Sequence, residues 1–304
     1  MSNSESIQFE TVHSKVHEHT QAHHHHTHAK TSHHANGHHL LQVENLCVSF
    51  QMYDECAPYF KAKQHLVPVL KNLSISVHAG EVIAVVGQSG AGKTVLVDAI
   101  LGLSPKNAEV KGSIWFDGKL LSSAEQKQLR GSEIALVPQG VSHLDPMQKL
   151  KHACGASLFK RHGLGTEVLN MYPHQLSGGM ARRVMLCNAL AMHPRIILAD
   201  EPTAGLDVVR AQSAFSDFRT FANKGAGVLL ITHDISLALK VADRIAVFSD
   251  GTIVEETAVE NFESPELLHH KFSKALWHAL PEHGFSCNEP KKSSSGLDGG
   301  AKNA

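Results

Sequence analysis

The eight residues Gly87-Gln88-Ser89-Gly90-Ala91-Gly92-Lys93-Thr94 constrain the fold of this chain more than any other stretch. They fit the pattern G-x-x-x-x-G-K-[ST] and stand between a short apolar run, Glu81 to Gly87, and a helical stretch, KTVLVDAILGL. A loop of this kind needs glycines. Its backbone must curl until successive N–H groups converge on phosphate oxygens, through angles that a Cβ would obstruct. The helix starting near Lys93 adds its positive end, Lys93 is spaced to reach β and γ phosphates, and the Thr94 hydroxyl is spaced to bind Mg²⁺. The local reading is strand, loop, helix.

The rest of the chain repeats that alternation. Buried-type strands are expected at EIALVP, RIILAD and GVLLIT, with a fifth at AVF near Val247, and helical patterns such as VVRAQSAFSDFRTFANK lie between them. This predicts an α/β fold with a mostly parallel sheet covered on both faces. Ahead of it, LLQVENLCVSF and VPVLKNLSISV read as antiparallel strands separated by a loop from Gln51 to Gln64. Gly140 to Gln175 interrupts the alternation with a poorly periodic helical insertion, and a short helical appendage runs from Thr257 to near Phe285. Residues 1–39 hold few apolar side chains and read as a disordered tail, as does the Gly- and Ser-rich stretch 286–304.

Composition removes several classes. Lys and Arg number 28 against 29 Asp and Glu, so the basic footprint of a nucleic-acid binder is missing and no nucleic-acid partner is expected. No apolar run approaches the roughly 18 to 20 residues needed to cross a bilayer, and MSNSESIQFE lacks the basic and apolar regions of an export signal. Cys47, Cys56, Cys154, Cys187 and Cys287 show no C-x-x-C spacing, which argues against a zinc knuckle or a disulfide framework and suits a reducing cytosol.

Two further motifs carry chemistry. RIILAD ends in Asp200 and is followed by Glu201, so a parallel strand delivers two carboxylates to the crevice where ligands of such sheets bind. Asp200 is expected to hold Mg²⁺ through water, and Glu201 to polarise an attacking water as general base. Leu176-Ser177-Gly178-Gly179-Met180 then combines small residues with a helix start that Ser177 can cap.

With these motifs in this order, the chain resembles an ATP-binding cassette (ABC) ATPase, over roughly Leu40 to Phe285. The resemblance implies a P-loop NTPase (RecA-like) core with an N-terminal antiparallel β subdomain. It also implies a short helical signature subdomain at 140–183 and an appendage at 257–285. It implies that Gln139 contacts Mg²⁺ and the attacking water, that Asp207 lies at a dimer seam, and that His233 hydrogen-bonds the γ-phosphate. Phe50 matches the aromatic that stacks on adenine, with Tyr53 and Tyr59 as alternatives. ATP and Mg²⁺ are the implied ligands. Gly87, Gln88, Ser89, Gly90, Ala91, Gly92, Lys93 and Thr94 of one chain and Ser177, Gly178 and Gly179 of another would enclose each nucleotide.

Tyr172-Pro173-His174-Gln175 before LSGGMARRV, together with KALWHALPEHGF, looks like the nickel, dipeptide and oligopeptide importer subgroup. That implies integral-membrane permease subunits, a second ATPase subunit that is a copy or a relative, and an extracytoplasmic substrate-binding protein. It places the chain peripherally at the cytoplasmic face of the cell membrane. Two features depart from the subgroup. Only 36 residues lie between Gln139 and Leu176, and the C-terminal region holds Cys287 alone where many peptide-importer subunits carry a cysteine cluster.

Histidine tilts the expected cargo toward nickel, with dipeptides or oligopeptides as the alternative and a soluble, non-transport ABC ATPase as the rival class. Of 24 histidines, 12 lie between His13 and His39. His23, His24, His25, His26, His28, His33, His34, His38 and His39 are candidate ligands for Ni²⁺ or Zn²⁺ in a buffering role. A solvated tail without metal, an engineered tag, or a pH-sensitive tail that becomes cationic near its unperturbed pKa of about 6.5 are the competing readings.

Overall fold

The structure is a computed structural model that describes residues 39–53, 64–88, 90, 92–140, 143–152 and 156–281. Within these residues the strands are β1 (His39–Tyr53), β2 (Gln64–His78), β3 (Val82–Gly87), β4 (Ala108–Phe116), β5 (Lys119–Leu120), β6 (Ile134–Val137), β7 (Ile196–Asp200), β8 (Gly227–Thr232), β9 (Arg244–Ser249) and β10 (Thr252–Ala258). The helices are α1 (Lys93–Leu101), α2 (Ser123–Leu129), α3 (Ala156–Arg161), α4 (Gly178–Ala191), α5 (Val208–Ala222), α6 (Ile235–Ala238) and α7 (Lys271–His278). Two sheets form: an antiparallel one in the order β2-β1-β4-β5, and a larger one in the order β10-β9-β3-β8-β7-β6.

In the larger sheet β9, β3, β8, β7 and β6 run parallel, and β10 adds an antiparallel edge. Every residue of VIAVVG, IILAD and GVLLIT is buried, as strands covered on both faces require. Their side chains alternate between two cores. Ile83, Val85, Leu198 and Leu229 pack with α1 and the antiparallel sheet, while Val82, Ala84, Ala199 and Leu230 pack with α4, α5 and α6.

The antiparallel strands run further than the sequence suggests, β1 to Tyr53 and β2 from Gln64, with Pro68 inside β2 opposite Ser49. Proline is tolerated there because β2 is an edge strand, where a residue without an N–H need not cost the sheet a ladder bond. His39, counted with the tail in the sequence, opens β1 opposite His78, and the two rings lie 4.6 Å apart. The ribbon of β4 and β5 and the helix α2 have no counterpart in the sequence reading. His23 to His38, Tyr59 and the stretch from residue 282 onward lie outside the described residues.

Two sets of contacts set the phosphate-loop segment in place. Glu81, just before β3, is fully buried; its carboxylate accepts from the His78 backbone N–H at 2.8 Å and lies 3.2 Å from Arg244 Nε on β9. Burial alone would raise this carboxyl, and the His78 and Arg244 contacts more than offset that and hold it below its ordinary value. At the far end of α1, Gln126 Nε2 donates to the carbonyls of Ala99 and Ile100, and Arg130 donates to those of Leu101 and Gly102. The last carbonyls of α1 are thus satisfied by α2 and the residue after it, with a cation where the helix dipole is negative.

The insertion is less helical than expected. Among its described residues the regular elements besides the short α3 are 3₁₀ turns, Leu150–His152, Thr166–Asn170 and Pro173–Gln175. They are held by a third small core of Leu150, Phe159, Leu164 and Val168 against Val184 and Cys187 of α4.

Candidate functional site

Parallel strands end at one edge, and the register places these ends level. Val86 pairs with Thr232, Ile231 with Asp200, and Ala199 with Val137. Gly87, His233, Glu201 and Gln139 therefore leave neighbouring strands at the same rim, where an open α/β sheet receives its ligand.

At the rim Lys93 is buried, and its ammonium donates to the carbonyls of Gly87 and Gln88, both at 2.8 Å. Burial pulls the Lys93 ammonium below its ordinary value, and the charges of Glu201 and Asp200 oppose that. Asp200 moves the other way: burial raises its carboxyl, a hydrogen bond from Thr94 opposes the rise, and Glu201 and Asp98 add to it. Asp200 Oδ1 is buried with no hydrogen-bond partner. A buried, partnerless carboxylate oxygen beside a threonine hydroxyl is an oxygen donor pair suited to Mg²⁺, whose charge would favour the ionised acid.

Glu201 follows with φ of 47°, a left-handed conformation uncommon outside glycine. Its N–H still donates to the Ile231 carbonyl at 2.9 Å, continuing the β7–β8 ladder, so the turn redirects the side chain without breaking the sheet. The carboxylate, largely buried, lies 2.7 Å from His233 Nδ1. His233 is steadied on its far side: the Asp234 N–H donates to Thr232 Oγ1 at 3.0 Å, and Asp234 Oδ1 accepts from the Leu237 N–H to cap α6. The His233 side chain itself is exposed.

Gln139, two residues beyond β6, is exposed, and its backbone carbonyl accepts from Arg182 Nη1 at 3.0 Å. Arg182 lies inside LSGGMARRV and was given no role by motif spacing. Ser177 and Asp207 make their side-chain hydrogen bonds within their own helices, Ser177 Oγ capping α4 at Met180 and Asp207 capping α5 and pairing with Arg210. The Asp207 carboxyl is held below its ordinary value by the Arg210 N–H and guanidinium. Neither side chain bonds to the phosphate loop of its own chain among the described residues. Val208 and Val209, beside Asp207, are 69% and 75% exposed.

Phe50 is half-buried against the first core, opposite Val67 and Ala108. Tyr53 is exposed at the end of β1 and accepts from Gln64 Nε2, while Ser89 and Ala91 lie outside the described residues. A cavity of about 440 Å³ opens beside the loop, lined by residues that include Pro68, Val69, Gln88, Gly90 and Asp250. A second, of about 390 Å³, lies beyond His233 between Leu206 and Lys240. His39, the one candidate tail ligand among the described residues, joins no group of three or more His, Cys, Asp or Glu able to hold a metal there.

Comparison with known proteins gives a consistent set of likenesses. A family model described as ABC transporter matches residues 70–204. The oligopeptide transport ATP-binding protein OppD of Lactococcus lactis subsp. cremoris (strain SK11) is 34% identical over 269 residues, covering 80% of this chain and 76% of that one. The dipeptide transport ATP-binding protein DppD of Escherichia coli (strain K12) is 35% identical over 270 residues, covering 80% and 79%. Among solved structures, the dimeric post-hydrolysis state of the ATP-binding cassette MJ0796 bound to ADP and Pi superposes with a TM-score of 0.61 at 26% identity. It covers 72% of this chain and 98% of that one.

Proposed function

The chain belongs to the ABC transporter ATPase family, and we propose that it is the ATP-hydrolysing subunit of an importer of dipeptides or oligopeptides. The observation that carries the catalytic part is the level rim, where Lys93, Asp200, Glu201, His233 and Gln139 converge from four adjacent strands. ATP lies with its phosphates in the Gly87–Thr94 loop. Thr94 and Asp200 would hold Mg²⁺, which would supply positive charge to offset that of the phosphates. Glu201 takes the proton of the attacking water, and the 2.7 Å contact with His233 fixes its carboxylate. The Phe50 side of the antiparallel sheet receives the base.

Each nucleotide is enclosed by two chains. In one chain Ser177 and Asp207 are spent on their own helices, and an apolar pair, Val208 and Val209, is left exposed beside Asp207. Such a face suits a second cassette, a copy or a relative, placed head-to-tail. No helix among the described residues is long and apolar enough to cross a membrane. The likeness to transport ATP-binding proteins supports attachment at the cytoplasmic face through permease subunits, with an extracytoplasmic binding protein delivering the cargo.

The relatives reverse the order of cargo suggested by composition. Nickel rested on the histidines of the first 39 residues, nearly all outside the described structure, whereas OppD and DppD carry peptide transport in their names and align over most of the cassette. That likeness to transport proteins likewise weighs against a soluble, non-transport role. Uptake of labelled dipeptide and of labelled nickel, in cells whose only copy is Lys93→Ala, tests the cargo: dipeptide uptake should fail. Loss of nickel uptake alone would return the reading to nickel.

A glycine provides a test of the two-chain site. A Cβ on Gly178 would meet nothing within 4 Å, so this chain does not itself require glycine there. Gly178→Ala should leave the melting temperature unchanged or slightly raised, because alanine is the better helix former by up to about 1 kcal/mol. It should cut ATPase activity about tenfold, because the added methyl stands where the partner's nucleotide must approach. Full activity would remove the nucleotide from that face.

A further inference from the structure

Arg182 and Arg183, consecutive on α4, send their guanidinium groups to different neighbours. Arg183 fastens the helix to the insertion, donating from Nη1 to the carbonyls of His162 and Gly163 at 2.9 and 3.0 Å while its Nε donates back to Gly179 of its own helix at 3.1 Å. Arg182 reaches the sheet rim and donates to the carbonyl of Gln139 at 3.0 Å. That carbonyl belongs to the peptide unit joining Gln139 to Gly140. Glycine has no Cβ to resist rotation at its end of this unit, and the local contact nearby, His143 Nδ1 with the Gly140 carbonyl at 3.2 Å, holds the next peptide unit. A charge-assisted hydrogen bond from the planar, permanently charged Arg182 holds this one. Rotating the unit would re-aim the chain where it leaves β6, and the Gln139 side chain with it.

We propose that Arg182 is a positioning residue for Gln139: it pins the Gln139–Gly140 peptide so that the Gln139 side chain faces the nucleotide and its attacking water. This rests on the reading of Gln139 as a site residue. Its consequence is a mechanical link within one chain. The helix that begins at Ser177 and faces the partner's nucleotide also sets a group at this chain's own nucleotide, so the placement of α4 is felt at both.

The test is steady-state ATPase activity of the full chain carrying Arg182→Ala, Arg182→Lys, Gln139→Ala, or Arg182→Ala with Gln139→Ala. Arg182→Ala should lower kcat about tenfold, the low end for one lost charge-assisted hydrogen bond, and raise the Mg²⁺ concentration giving half-maximal rate. Binding of a fluorescent ATP analogue without Mg²⁺, and the melting temperature, should stay near the unmodified values, and Arg182→Lys should recover part of the rate. In the Gln139→Ala background Arg182→Ala should cost less than about twofold further, because the two act through one group. Independent, multiplying losses in the double variant would overturn the proposal, as would unchanged kcat and Mg²⁺ dependence in Arg182→Ala when Gln139→Ala is impaired. A Gln139→Ala protein with full activity would remove the premise, and with it both the site reading of Gln139 and the role of Arg182.

Discussion

Glu201→Gln should leave ATP binding intact and cut turnover by at least about a hundredfold, the low end of what a positioned general base contributes. The substitution preserves shape. Glutamine fills the same nearly enclosed space, and its carbonyl oxygen can still accept from His233 Nδ1, so the 2.7 Å contact and the left-handed turn at φ 47° have no reason to change. What disappears is the ability to take a proton. With ATP bound and not consumed, the γ-phosphate would go on bridging two cassettes in the proposed two-chain site, and the dimer should accumulate. Sedimentation with Mg²⁺ and ATP then separates the outcomes. A dimer with little phosphate release fits the assigned base, whereas hydrolysis at the unmodified rate places the base elsewhere and leaves Glu201 as a partner of His233 only.

The residues of this site were legible in the sequence to unequal degrees, for physical reasons. The loop and its flanking elements were legible because their requirements are local: glycine where the backbone curls, a wholly apolar strand before it, and a helix after. The strands β7 and β8 were legible for the same reason, being buried on both faces. The β4 strand was not, because only Ile114 and Phe116 of AEVKGSIWF are buried and the segment shows neither a continuous apolar run nor a clean alternation. Its turn was nevertheless written in the chain. Asp117-Gly118, at φ of 52° and 75°, is the dipeptide favoured where both central residues of a hairpin turn are left-handed.

The insertion between Gln139 and Leu176 escaped periodicity because 3₁₀ turns and a six-residue helix are too short to show one, and its core is completed by Val184 and Cys187 from outside it. Arg182 illustrates what no linear spacing contains. It is 43 residues from Gln139, and only the packing of α4 against β6 brings the two together. The histidines mark the opposite limit, since a strong composition pointed to a cargo that OppD and DppD do not carry in their names.

Gly87→Ala should abolish detectable nucleotide binding and destabilise the protein by on the order of 3 kcal/mol, in the upper range of single substitutions. The cause is contact rather than flexibility. Gly87 closes β3 in parallel register with Phe248 of β9, and a Cβ there would lie 2.1 Å from the Phe248 carbonyl oxygen and 3.1 Å from its carbonyl carbon. These are backbone atoms of a strand held on both sides, by β3 and by β10, so they cannot swing aside as the end of a side chain would. The strands must separate at the point where the Gly87 carbonyl accepts from Lys93, and the loop loses its anchor together with its shape. Gly90 is the control. A Cβ on it meets nothing within 4 Å, and only its left-handed φ of 78° opposes alanine, at about 1 to 2 kcal/mol. Thermal melting and ATP titration of the two variants should therefore diverge, Gly87→Ala losing both stability and binding and Gly90→Ala losing less stability. Equal melting temperatures would mean that β3 and β9 do not approach as closely as their register places them, and that the phosphate loop is held by its own glycines rather than by the sheet beneath it.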